Sequence, residues 1–148
     1  MKSLYQTLIF STFALLISGG LNAQKTIITK DDLPKEAQSF LAKNFTNERV
    51  VQAEKDVYGS KTDYEIKLSN GTELEFDEKG DWKEIDGKDK VAIPQDFIPT
   101  KITQHITQHF APHRVSKIEK DRNKYEVELT NGMDLEFSLN GDFLRIDD

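Results

Sequence analysis

The sequence predicts an α+β protein: a tandem repeat of a helix followed by a four-stranded antiparallel meander, the two copies sharing one sheet. Three observations predict it. The stretch "YEIKLSNGTELEFDEKGDWKEID", residues 64–86, returns as "YEVELTNGMDLEFSLNGDFLRID", residues 125–147. A second pair upstream, "LPKEAQSFLAKNFTNERVVQAEKD" and "IPTKITQHITQHFAPHRVSKIEKD", has apolar residues at helical spacing. Strict apolar–polar alternation around Asn-Gly pairs then marks strands and turns.

The elements follow in order. Residues 1–23 have a basic start at Lys2, an apolar run from Leu8 to Ile17 and small residues up to Ala23. This is a secretory signal peptide, with cleavage expected after Ala23. The run is shorter than the roughly 20 residues of a transmembrane helix. Domain boundaries follow: signal 1–23, first repeat 24–87, connector 88–97 and second repeat 98–148.

Each repeat opens on a helix. Pro34 and Pro99 suit a first-turn position, where a missing N–H costs nothing. Ala37, Phe40, Leu41 and Phe45 recur at helical spacing, as do Ile102, Ile106 and Phe110. First strands lie in "RVVQAEKDVY" and "RVSKIEKDR". Second strands, "DYEIKLS" and "KYEVELT", put Tyr64, Ile66 and Leu68 on one face and Glu65 and Lys67 on the other. Asn70-Gly71 and Asn131-Gly132 predict tight two-residue hairpin turns. Third strands "TELEF" and "MDLEF" alternate again. Fourth strands run from Trp82 to Ile85 and from Phe143 to Ile146. One unit alone leaves its sheet edges open and is marginal in water, so two units are the stable size.

Composition narrows the function. The net charge is −6 with a pI near 5.1, and loss of Lys2 with the signal makes the remainder one unit more negative. An acidic chain is a poor partner for a phosphate backbone. There is no Cys, so packing alone stabilises an exported protein. Phosphate-loop, nucleophile-elbow and His-Glu-x-x-His motifs are absent from the sequence, and no cofactor motif is present. No enzyme is expected.

The pattern of Leu-Pro opening a helix, then Tyr-x-x-x-Leu-x-Asn-Gly-x-x-Leu-x-Phe-x-x-x-Gly-x-[Trp/Phe], resembles the PepSY-like family of exported bacterial proteins, similar in fold to beta-lactamase inhibitor protein. The resemblance covers nearly all of the chain after residue 23. It implies one curved antiparallel sheet with helices on one face. It also implies a role in binding or inhibiting another exported protein such as a peptidase, with no catalytic residues to carry over.

The candidate site is the sheet face left free of helices. Alternation puts Asp63, Glu65, Lys67, Glu73 and Glu75 there from the first repeat, and Glu126, Glu128, Asp134 and Glu136 from the second. Trp82 and Phe143 occupy matching places in the fourth strands. Exposed, they would be aromatic anchors in an acidic field, suited to protein binding. The other reading is a solvated face with Trp82 packed at the core edge; the phase of the fourth strand decides between them. A further alternative is a small-ligand carrier using the groove between the repeats. His105, His109 and His113 are spaced by four, but Pro112 ends the helix before His113 can join that face. Asp77, Gly80 and Asp81 lack the full ligand set of a calcium loop and read as a turn.

Overall fold

A computed structural model describes residues 24–147. The expected signal peptide, with its expected cleavage after Ala23, lies outside the described residues. Nine strands form one antiparallel sheet whose spatial order is the chain order, from β1 (Gln24–Ile27) to β9 (Phe143–Asp147). Helix α1 (Lys35–Asn44) precedes β2 (Val50–Tyr58), β3 (Lys61–Leu68), β4 (Glu73–Phe76) and β5 (Trp82–Asp86). Helix α2 (Thr100–His109) precedes β6 (Val115–Lys120), β7 (Lys124–Leu129), β8 (Asp134–Ser138) and β9. The sequence reading omitted β1, which pairs with β2 from Gln24↔Val57 to Ile27↔Glu54.

Both helices begin just after a proline, Pro34 and Pro99, which serve as N-caps rather than first-turn residues. Their apolar stripes, Ala37 and Leu41 on α1 and Ile102 and Ile106 on α2, are buried against the sheet. The sheet contributes Ile66, Leu74, Phe76, Ile85, Ile118, Val127, Leu135 and Phe137 to the same core. All the core residues lie on one side of the pleat, so the opposite face carries no apolar layer.

The predicted two-residue hairpins are three-residue loops. Only Gly71 and Gly132 have positive φ, at +89° and +83°, while Asn70 and Asn131 do not. Leu68 N–H donates to Thr72 C=O and Gly71 N–H to Leu68 C=O, which closes the loop around Ser69, Asn70 and Gly71. Asn70 Oδ1 instead accepts the Thr72 N–H at 2.9 Å. Such a loop needs one left-handed residue, and glycine supplies it.

The halves meet where β5 pairs with β6, through Glu84↔Glu119, Ile85↔Ile118 and Asp86↔Lys117. Over that joint lies an aromatic cluster. Phe97 from the connector sits 5.1 Å from Phe40 and 5.7 Å from Trp82, and Trp82 sits 6.2 Å from Tyr125, all between ring centroids. These rings pack on one another across the joint between the halves.

Candidate functional site

The helix-free face is built from the residues that the pleat turns away from the core. Register across the sheet gathers them into rows. One row is continuous: Glu54↔Glu65, Glu65↔Glu75, Glu75↔Glu84, Glu84↔Glu119, Glu119↔Glu126 and Glu126↔Glu136 are successive cross-strand partners. Seven glutamates thus stand side by side on seven adjacent strands, with Ile27 beyond one end and Arg145 beyond the other. Beside it runs a mixed row, Gln52, Lys67, Glu73, Asp86, Lys117, Glu128, Asp134 and Asp147.

Sequence alternation placed Glu65, Glu73, Glu75, Glu126, Glu128, Asp134 and Glu136 correctly on this face. It missed Glu54, Glu84 and Glu119, because their phase depends on the β2, β5 and β6 registers. The triplet Glu-Lys-Asp at 54–56 and again at 119–121 was the available signal.

Trp82 and Phe143 are corrections. Two-residue alternation back from Glu84 would put Trp82 on the acidic face. A bulge intervenes: Glu84 pairs with Glu75 and Trp82 with Phe76, leaving Lys83 as the extra residue. The inserted residue reverses the phase, so Trp82 packs on the helix-covered side. Leu144 plays the same part in β9, where Phe143 pairs with Phe137 and stacks on His105 at 4.4 Å. Neither ring belongs to the acidic face. His105 in turn packs against aromatic rings, and burial lowers its pKa, with His109 adding to the effect. Among the described residues no three His, Cys, Asp or Glu side chains converge as a metal ion requires.

Like charges directly opposite on neighbouring strands destabilise a sheet. Cations relieve the ends of the row. Lys25 lies 2.9 Å from Glu65. Lys83, the bulged residue, reaches Asp63 at 2.9 Å and Glu75. At the other end Glu136 accepts from Arg145 Nε at 2.9 Å and Nη2 at 3.0 Å and pairs with Lys124. These bonds hold the Glu136 carboxyl down at about 2, the Arg145 hydrogen bonds being the largest cause.

Between the ends, cations reach every member of the row but one. Lys117 pairs with Glu84 at 3.0 Å and Lys124 with Glu126 at 2.7 Å. Among the described residues no cation lies within ion-pair distance of Glu119. Burial raises its pKa, and the carboxylates of Glu84 and Glu126 raise it further. Burial also raises Glu75, Glu128 and Asp134. The face is therefore an ordered field of negative charge with its least compensated point where the halves join.

A cleft of about 550 Å³ lies elsewhere, within the first half, lined by Lys30, Leu41, Phe45, Arg49, Val50 and Leu68 among others. It is not the groove between the halves.

Comparisons with known proteins place the chain among similar sequences and structures. A family model described as "Putative beta-lactamase-inhibitor-like, PepSY-like" matches residues 21–74 and 62–145. No curated protein matches the sequence. A "putative calcium-regulated periplasmic protein" from Bacteroides thetaiotaomicron is 33% identical, with a TM-score of 0.79 over 84% of this chain and 97% of that one. A "putative periplasmic protein" from Bacteroides vulgatus is 30% identical, with a TM-score of 0.78 over 84% and 97% of the two chains. A second from the same species, "of unknown function", is 32% identical, with a TM-score of 0.78 over 84% and 100%.

Proposed function

The chain belongs to the PepSY-like family, and on that premise we propose that it is a non-enzymatic exported module that binds another exported protein through the open face of its sheet. The partner carries a basic surface, and the binding regulates or inhibits it; a peptidase is the class that the family resemblance favours. Two tandem helix-and-meander units supply the width of that face. The periplasmic description of its structural relatives supports export.

One observation carries the reading. A row of seven glutamates in register costs stability, because like charges face each other at every step. Cations surround the row, but a face that only needed to be soluble would also alternate the signs within it. Stability given up along one line, with Glu119 at the joint between the halves its least compensated residue, is what an electrostatic docking surface looks like before its partner arrives.

The test uses the mature chain, residues 24–148, immobilised and exposed to periplasmic extract at low salt. Proteins retained by the wild type and released as salt rises are compared with those retained by a Glu84→Gln, Glu119→Gln, Glu126→Gln variant. Salt-sensitive retention lost in the variant supports the reading. Equal retention by both removes it.

A further inference from the structure

The cleft beside α1 differs from its counterpart in the second half, and the difference says what fits it. In that half the N-terminal end of β6 has its outer edge closed by the connector. Ile93 N–H donates to Val115 C=O at 3.0 Å, and Gln95 Oε1 accepts the Val115 N–H at 3.3 Å. Ile93 is buried, Val115 is 0% exposed and Ser116 is 2% exposed. The connector thus runs beside the start of β6, held there by these two bonds, with the Ile93 side chain buried in the core.

The first half has the same framework without that cover. Val50 pairs with Leu68 as Val115 pairs with Leu129, and a register shift follows in both strands. Phe45 N–H bonds to Leu41 C=O as Phe110 N–H bonds to Ile106 C=O. But β1 stops short. Its ladder ends at Ile27↔Glu54, with one more bond from Ile28 N–H to Ala53 C=O, and the chain then turns away through residues 30–32. Among the described residues no segment pairs with the outer edge of Val50. Val51 is left 57% exposed where its counterpart Ser116 is buried. The result is the 550 Å³ cleft, with an apolar floor of Leu41, Phe45, Val50 and Leu68, two cations, Lys30 and Arg49, and one carboxylate, Glu48, which accepts from Ser69 Oγ. Neither cation makes an ion pair among the described residues.

We propose that this cleft is a peptide-binding site that takes an extended segment of a partner protein bearing an aliphatic residue and a nearby carboxylate. The segment lies along Val50 as residues 93–95 lie along Val115, placing its aliphatic side chain over Leu41, Phe45 and Leu68. Strand addition at an exposed sheet edge supplies the backbone bonds, and the apolar floor supplies selectivity. Lys30 and Arg49 outnumber the single carboxylate Glu48, already held by Ser69, and favour an acidic residue close to the aliphatic one. This ligand is opposite in charge to the one that suits the glutamate face, so the two sites are independent.

The chain's own connector provides the probe. The peptide VAIPQDF, residues 91–97, carries Ile93 and, three positions later, Asp96. A fluorescein-labelled copy is titrated with the mature chain and followed by anisotropy, with amide chemical shifts recorded in parallel. The expected result is saturable binding, with shifts confined to the residues around Leu41, Phe45, Val50 and Leu68. A peptide with Ile93→Asp should bind at least about tenfold more weakly, and the exposed-site variant Lys30→Glu, Arg49→Glu should lose a similar factor. The peptide variant leaves the protein unchanged, so a folding defect cannot imitate that result. Absence of saturation up to about 1 mM, equal binding of the Ile93→Asp peptide, or shifts centred on the glutamate row would each overturn the proposal.

Discussion

Glu84 stands directly opposite Glu119 on the ladder that joins the two halves of the sheet. A junction built for stability alone would pair opposite charges there. Lys117 reaches Glu84 from the neighbouring row at 3.0 Å and leaves Glu119 without a direct partner. The pair is the point where the fold and the proposed binding surface make opposite demands.

The first prediction concerns that point. Glu119→Gln should stabilise the protein at pH 7 by about 0.5–1 kcal/mol, the size of a cross-strand charge effect. The pKa of Glu119 is raised in the folded state, so folded protein binds its proton more readily than unfolded protein. Stability from this group therefore grows as pH falls from neutral through the folded-state value, and levels off below the ordinary carboxylate value. Urea melts between pH 7 and pH 4 should show the advantage of the Gln variant shrinking to nothing. A variant less stable than wild type at pH 7 would show that Glu119 has a stabilising partner.

Glu136 should behave in the opposite sense. Its folded-state pKa is about 2 against an ordinary 4.5, so its stabilisation is complete above 4.5 and is lost as pH falls towards 2. Glu136 is 5% exposed, but Arg145 is largely solvated, which limits the strength of the pair. Glu136→Gln should cost about 1–2 kcal/mol at pH 7, leaving Lys124 and Arg145 with a weaker acceptor. The same melts check it: the cost should vanish near pH 2.

Trp82→Ala should destabilise the protein by about 2–3 kcal/mol, because the indole packs against Phe97 and Tyr125 over the joint between the halves. Any binding through the glutamate face should survive at temperatures where the variant is folded. Thermal melts and the salt-dependent retention assay, run on the same preparation, separate the two effects. Retention abolished in a folded variant would return Trp82 to the binding surface.

Phe45 and Phe110 occupy matching sequence positions but different surroundings. Phe45 is buried, whereas Phe110 is half-exposed beside His105 and Phe143. Phe45→Ala should cost about 3–5 kcal/mol and Phe110→Ala about 1–2 kcal/mol, measured as shifts of the urea midpoint at constant slope. Equal losses would mean that the two ends of the sheet are equally closed.

For residues 1–23 the measurement is N-terminal sequencing of the exported product, which should begin at Gln24. A product beginning at Met1 in the membrane fraction would count against the signal peptide.

The strands were legible because their pattern is local. Tyr64, Ile66 and Leu68 alternate with charged residues, and each third strand repeats the rule. The acidic row was only partly legible, because its members are joined by register, which one strand does not record. Glu54 becomes a neighbour of Glu65 only through the β2–β3 pairing. Trp82 was misplaced for a related reason. One bulged residue, Lys83, inverts the phase of everything before it, and nothing in the fragment "GDWKEID" marks the bulge. The cleft was invisible because it is formed by a missing segment: the lead-in from Ile28 to Leu33 is simply shorter than the connector from Gly87 to Phe97.

The spatial order of the nine strands repeats their order along the chain. Every ladder therefore closes between segments that emerge one after the other, and no strand has to hold an empty place for a later one. Folding can proceed as a zip from the N-terminus, each new hairpin laid on the edge of the last, while the remainder is still being threaded out. Such a molecule exposes only one growing edge at a time, which shortens the interval in which unpaired backbone can meet another chain.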